Sequence, residues 1–300
     1  VKAYSLMPNP KALTGVNWAV VKPVLPFAAG ISLTSVLWIV LTQLDKVLLS
    51  NVLPLNEFGY FSLIALMSTG IMTLTNPLVQ TLLPRMTMLV AEDRIADMQA
   101  LYLNATRFVC SLLFPLAGVI AFHAADLVFA WTGDAEAAKW SRLILPWYVV
   151  GSAIMAVTAF QFYLQYAYGQ LRLHVWFSVV SAVLSIPVVI YATLAHGVYG
   201  AALAWFGLRM LTFLIWPSMV HKRFGACLHR PWLQDLLRIT AMTGLGLLIG
   251  EPVFAAIASD NRFDILLGLA VSGLICLALV TFTSKPVVMR LYVMMTKSSV

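Results

Sequence analysis

Between Lys22 and Asp45 lie twenty-two consecutive residues without a charged side chain, PVLPFAAGISLTSVLWIVLTQL. Roughly twenty apolar residues let an α-helix cross the hydrocarbon of a bilayer, where only helices and closed barrels satisfy their own backbone. The pattern recurs. Apolar stretches separated by polar breaks cover residues 24–50, 60–83, 107–131, 142–164, 174–195, 198–220, 236–258 and 264–283. Composition agrees: 10% of the residues are charged, against about 25% in soluble domains. The sequence predicts an all-α polytopic membrane protein with about eight transmembrane helices.

Lysine and arginine collect in cytoplasmic loops, so their placement tests this division. With the spans in order, Lys2, Lys11, Lys22, Arg85, Arg94, Arg107, Arg172, Lys222, Arg223, Arg230, Arg238, Lys285, Arg290 and Lys297 share one side, fourteen in all. Only three, Lys139, Arg142 and Arg262, fall on the other. Both termini are therefore expected in the cytoplasm. The net charge of +7 reflects this bias; no basic face accumulates, so nucleic acid is not an expected partner.

Between spans two and three, Ile95, Met98, Leu101, Tyr102 and Ala105 recur at helical spacing, with Glu92, Asp93, Arg94 and Asp97 on other faces. This predicts a cytoplasmic helix near 86–106 lying along the membrane surface, or else a solvated connector. Cys110, Cys227 and Cys276 are too scattered for a disulfide framework or a metal site. No cleavable signal pattern precedes Pro23, and a start on valine points to an alternative start codon or a truncated chain. The run GLGLLIG, Gly244 to Gly250, suits close helix packing.

Asp45 and Lys46 interrupt the apolar pattern side by side. Helical neighbours point about 100° apart, so they do not readily neutralise each other. Ser35, Thr42, Lys46 and Ser50 form a polar stripe flanked by Gln43 and Asp45. Such a stripe faces a wet cavity; alternatively, Asp45 lies near the outer edge of the hydrocarbon and Lys46 snorkels to the interface. Arg209, deep in span six with no acid in its span, calls for a partner or an anionic ligand. Gln161 and Gln165 line the same cavity or bond one helix to another. His123 and Asp126 form a proton relay or a pair at a helix end. Arg85 is a cytoplasmic anchor or gate. No hydrolase elbow, zinc-protease motif or phosphate loop occurs, so no enzymatic activity, metal or cofactor is expected.

Five segments carry a family resemblance. They are TQLDKVLLSNVLPLNEFGYFSL (42–63), NPLVQTLLPRMTML (76–89), FAWTGD (129–134), LQYAYGQLRL (164–173) and YGAALAW (199–205). In that order they resemble the second half of bacterial polysaccharide flippases of the Wzx type, in the multidrug/oligosaccharidyl-lipid/polysaccharide exporter superfamily. The resemblance implies a six-helix transporter lobe over 23–220 after a cytoplasmic segment 1–22. A basic cytoplasmic loop, two additional transmembrane helices and a basic tail then occupy 221–300. It further implies a bacterial inner-membrane protein moving an undecaprenyl-pyrophosphate-linked oligosaccharide outward for surface polysaccharide synthesis. Members carry two lobes, so the expected partners include a missing N-terminal lobe, in a longer or split transporter, or polysaccharide polymerase and assembly proteins. On this reading Lys46 and Arg209 hold the anionic head group, while Tyr163, Gln165 and Trp205 contact sugar. Asp45 balances charge or couples to an ion. A multidrug or cation exporter of the same superfamily, or a non-transporting subunit of a polysaccharide assembly complex, is the alternative.

Overall fold

The structure, a computed structural model, describes residues 18–259 and 261–296. Residues 1–17 of the expected N-terminal segment and 297–300 of the tail lie outside them. Among the described residues every regular element is helical. The helices are α1 (Trp18–Val52), α2 (Leu55–Thr73), α3 (Asn76–Ala91), α4 (Ile95–Phe122), α5 (Ala124–Thr132), α6 (Ala135–Ser141), α7 (Leu145–Thr158), α8 (Phe160–Ala167), α9 (Arg172–Phe224), α10 (His229–Ile257) and α11 (Arg262–Thr296).

Seven helical segments are long and apolar enough to cross a bilayer. One of them, the 53-residue α9, would be about 80 Å long if straight, at 1.5 Å per residue, far beyond one crossing. It turns back at Gly197, whose φ of 60° and ψ of −143° suit a residue without a Cβ. Past the turn Phe177 stacks on Trp216, centroids 4.1 Å apart, and His174 lies 5.9 Å from the same indole. Residues about forty positions apart touch only because the two arms run antiparallel. At Gly200 a Cβ would collide with the Ala192 carbonyl, so the turn closes on two glycines. With α9 counted twice there are eight crossings, which places both ends of the described chain on one side.

Span two is discontinuous. α2 stops at Thr73 and α3 restarts at Asn76 with Pro77 in its first turn, where a missing N–H costs nothing. The amides at the break remain bonded, Leu74 to Gly70 O at 3.3 Å and Thr75 to Met72 O at 3.1 Å. Span four, α7 with α8, is central: 72% of its apolar window is buried, against 11% for α1 at the periphery.

No separate surface helix occupies 86–106. α3 continues to Ala91, a turn through Glu92 and Arg94 follows, and α4 starts at Ile95 and runs on as span three. Met98, Leu101, Tyr102 and Ala105 do line up on one face, but that face is buried in protein. The amphipathic pattern marks one end of a spanning helix. Arg94 bonds Asp97 and Glu92 at the turn.

The last two helices pack as a pair through the small residues of α10. A Cβ on Gly246 would sit 2.8 Å from the Cys276 Cα, and one on Gly250 2.5 Å from the Ser272 Oγ. The pair is tied to span three by the Arg107–Asp235 ion pair. At the other end of the pair, His123 lies 3.6 Å from Glu251, 3.7 Å from Asp126, and against the Phe254 ring. The WTGD segment is a structural corner. Gly133 closes α5 with φ 75°, the Asp134 side chain accepts the amides of Glu136 and Ala137, and Arg262 donates to the carbonyls of Ala130 and Trp131.

Candidate functional site

α1 leans on α9 and α2 packs on α7, whereas α1 and α2 touch each other only sparsely. The space between them is a cavity of about 650 Å³, walled by spans one, two, four, five and six. Its wall is mostly apolar but carries a set of polar and charged side chains. Thr42, Asp45 and Lys46 come from α1, Ser68 and Thr73 from α2, Asn76 from α3, Ser152 from α7, and Ser178 and Thr212 from the two arms of α9. Ser35, Gln43, Thr69 and Thr73 are exposed along its rim.

The charged groups meet here without forming a direct ion pair. The Asp45 carboxylate is 3% exposed. Its Oδ2 accepts the Tyr148 hydroxyl at 2.7 Å, and its Oδ1 accepts the Lys46 backbone amide at 2.9 Å. The Lys46 ammonium donates instead to Gln43 Oε1 at 3.1 Å. Arg209 places its guanidinium carbon 4.5 Å from the centroid of Trp205, an arrangement in which the indole face attracts the cation. Trp205 in turn stacks on Tyr148, centroids 5.6 Å apart and planes 19° apart. Carboxylate, phenol, indole and guanidinium thus form one contiguous row. Gly151 makes the row possible, since a Cβ there would lie 2.7 Å from the indole.

Among the described residues no ion pair joins Asp45 to Lys46 or Arg209. Four buried polar atoms on residues lining the cavity also lack a protein partner: Ser68 Oγ, His174 Nδ1, Trp205 Nε1 and Arg209 Nε. Buried polar atoms are normally satisfied, so these donors and acceptors are available to water or to a ligand.

The structure brings Asp45, Lys46, Tyr163, Trp205 and Arg209 to one cavity. Asp45 and Lys46 both lie on the cavity wall. Gln165 does not join them. Its amide donates to the Gln161 carbonyl, and Gln161 donates to the Tyr102 hydroxyl at 2.8 Å. Tyr102 meets His221 at 2.8 Å, and His221 meets His229. This separate buried chain of polar groups joins spans three, four, six and seven; Gln161 bonds helix to helix, while Gln165 bonds back to a carbonyl of its own helix. The reason is rotational: at the end of span four, Gln161 and Gln165 face the core while Tyr163 faces the cavity. Arg85 is also elsewhere, half-buried on α3 with Met88 Sδ at 3.9 Å. His123 and Asp126 lie outside the cavity wall. Tyr148, His174 and Ser68 carry no signal in the sequence, being single polar groups in runs that read as ordinary spans.

Fold and cavity define a multi-pass helical membrane protein with a chamber between its spans that carries charged and polar groups. The family model described as polysaccharide biosynthesis protein matches residues 3–144, which take in α1 to α6. The match covers just under half of the chain; that part is similar to the family, which supports the resemblance to Wzx-type polysaccharide flippases. Asp45, Lys46 and the α2 and α3 walls lie within it; Tyr148, Trp205 and Arg209 lie beyond it. No curated protein and no solved structure matches the chain.

Proposed function

We propose that the chain forms the cargo-handling half of an inner-membrane transporter that moves a lipid-linked oligosaccharide to the outer leaflet, for surface polysaccharide synthesis. It acts without chemistry on its cargo. The observation that carries this reading is a chamber holding two cations, Lys46 and Arg209, that form no ion pair among the described residues. Sugars and a pyrophosphate cannot cross about 30 Å of hydrocarbon unaided. A chamber bounded by two diverging helices gives them a hydrated path while the lipid tail stays in the bilayer. Lys46 and Arg209 attract the phosphates, and Arg209 offers the planar fork suited to them. The rings of Tyr163 and Trp205 suit contact with sugar faces. Cations outnumber the single acid at the site, which favours anionic cargo over the cationic drugs of the alternative reading.

The test is surface polysaccharide in a strain that depends on this chain. Lys46→Ala and Arg209→Ala, separately and together, are expected to reduce it strongly at normal expression. Unchanged polysaccharide in the double variant would overturn the reading.

A further inference from the structure

Four polar side chains off the chamber wall form one line. Gln161 Nε2 donates to the Tyr102 hydroxyl at 2.8 Å, Tyr102 meets His221 Nε2 at 2.8 Å, and His221 Nδ1 meets His229 Nδ1 at 3.2 Å. We infer that this line is a proton-sensing relay: protonation of the histidine pair at one end reverses its hydrogen bonds and flips the Gln161 amide at the other. The inference is independent of the cargo reading above.

The placement of protons carries it. Because Gln161 donates, the Tyr102 hydroxyl gives its single proton to His221 Nε2, which must then be bare. His221 therefore holds its proton on Nδ1 and gives it to His229 Nδ1, and His229 holds its own on Nε2. With both rings neutral, every proton in the line has one acceptor. A third ring proton has no place in this order. Placed on His229, it makes both nitrogens of that ring donors, so His221 Nδ1 accepts and the His221 proton sits on Nε2. Placed on His221, it makes both nitrogens of that ring donors. Either way His221 Nε2 turns from acceptor to donor. Tyr102 must then accept from it and point its own proton at Gln161, where it meets another donor.

Gln161 resolves the conflict. It is 0% exposed and its Oε1 lacks a partner. A half-turn of the amide sets that oxygen against the Tyr102 hydroxyl. A buried hydroxyl proton without an acceptor is costly, and that cost drives the half-turn. The step balances: one proton leaves solvent, one N–H bond forms, and Tyr102 keeps its own proton.

The proton enters through His229. His221 is fully buried, whereas His229 is half-buried against Trp232 and follows the turn that exposes Ala226 and Cys227. Histidine is also the side chain that changes charge near neutral pH. Around the two rings, α4 brings Tyr102 and Arg107, and Arg107 pairs with Asp235 of α10. Lys222 and Arg223 of α9, Arg230 of α10 and Cys227 are exposed, where solvent screens the three cations. α8 contributes the Gln161 amide and, past its end, Tyr168 against Phe224. Gln161 lies two residues before Tyr163, which lines the chamber. A charge gained between spans six and seven is thereby felt on a helix that walls the chamber.

Magnetic resonance on the whole chain in lipid nanodiscs, with nitrogen-15-labelled histidine and glutamine, tests the relay between about pH 8 and 5. Contacts with the Tyr102 ring identify the signals of His221 Nε2 and the Gln161 side chain without any variant. As pH falls, His221 Nε2 is expected to change from bare to protonated, and the Gln161 signal to shift with the same midpoint. In Tyr102→Phe, which keeps the ring but lacks the hydroxyl, the histidines should still titrate while the Gln161 signal stays put. A wild-type Gln161 signal that ignores pH, or rings that stay neutral throughout, overturns the relay. So does a Gln161 shift of the same size in Tyr102→Phe. Should that variant fail to fold, the matched midpoint in the wild type decides alone.

Discussion

Three glycines of α10 sit within seven residues of each other, and the structure gives each a different surrounding. A Cβ at Gly246 would lie 2.8 Å from the Cys276 Cα and 2.9 Å from its sulfur. Carbon atoms in contact prefer about 3.5–4.0 Å, so Gly246→Ala requires backbone to part by roughly 1 Å, at an overpacking cost of about 1–3 kcal/mol. Against this stands a helix-propensity gain of about 1 kcal/mol for Gly to Ala. The net expectation is a loss of up to about 2 kcal/mol. At Gly250 the nearest atom, 2.5 Å away, is the Ser272 Oγ, the tip of a side chain that can rotate, with the Ser272 Cβ at 3.3 Å behind it. There propensity and crowding nearly cancel. At Gly244 nothing lies within 4 Å, and Gly244→Ala should gain about 0.5–1 kcal/mol. Equilibrium unfolding of the purified protein by increasing SDS fraction in mixed micelles, followed by tryptophan fluorescence, ranks the three. The expected order of stability is Gly244→Ala, then Gly250→Ala, then Gly246→Ala. A Gly244→Ala variant as unstable as Gly246→Ala would refute the packing face assigned to α10.

Gly197→Ala forces a Cβ into φ 60°, ψ −143°, and should cost about 1–3 kcal/mol in the same unfolding measurement, whereas Gly207→Ala, with open space around it, should not. Arg209→Lys keeps the charge but loses the planar stack on Trp205. It should weaken pyrophosphate binding several-fold by calorimetry while leaving unfolding little changed, and equal affinity would remove the guanidinium geometry from the argument.

Much of the fold was legible because the bilayer imposes a simple rule on length and polarity. The apolar runs ending at 195 and beginning at 198 located the reversal at Gly197. The same rule failed between spans two and three. Periodicity shows that Met98, Leu101 and Tyr102 share a face, but it does not say whether lipid or protein covers that face; here protein does. The site was legible to the extent that charge is. Asp45, Lys46 and Arg209 stand out because an apolar run rarely carries a charge. Gln165 was drawn to the cavity only by its polarity, and the turn of its helix takes it into the core. Tyr148 and Gly151 escape a sequence reading, since their importance comes from Trp205 on another span meeting them face to face.

The uneven anchoring of the helices has its own outcome for how the chamber works. Asp45 and Lys46 ride on α1, which has few neighbours, while Tyr148 is built into span four, the most enclosed span of the lobe. A tilt of α1 would carry acid and base away from the phenol together and leave the Tyr148, Trp205 and Arg209 stack in place. One wall would then be a movable panel and the other a fixed keel, so the chamber would widen without the interior having to repack.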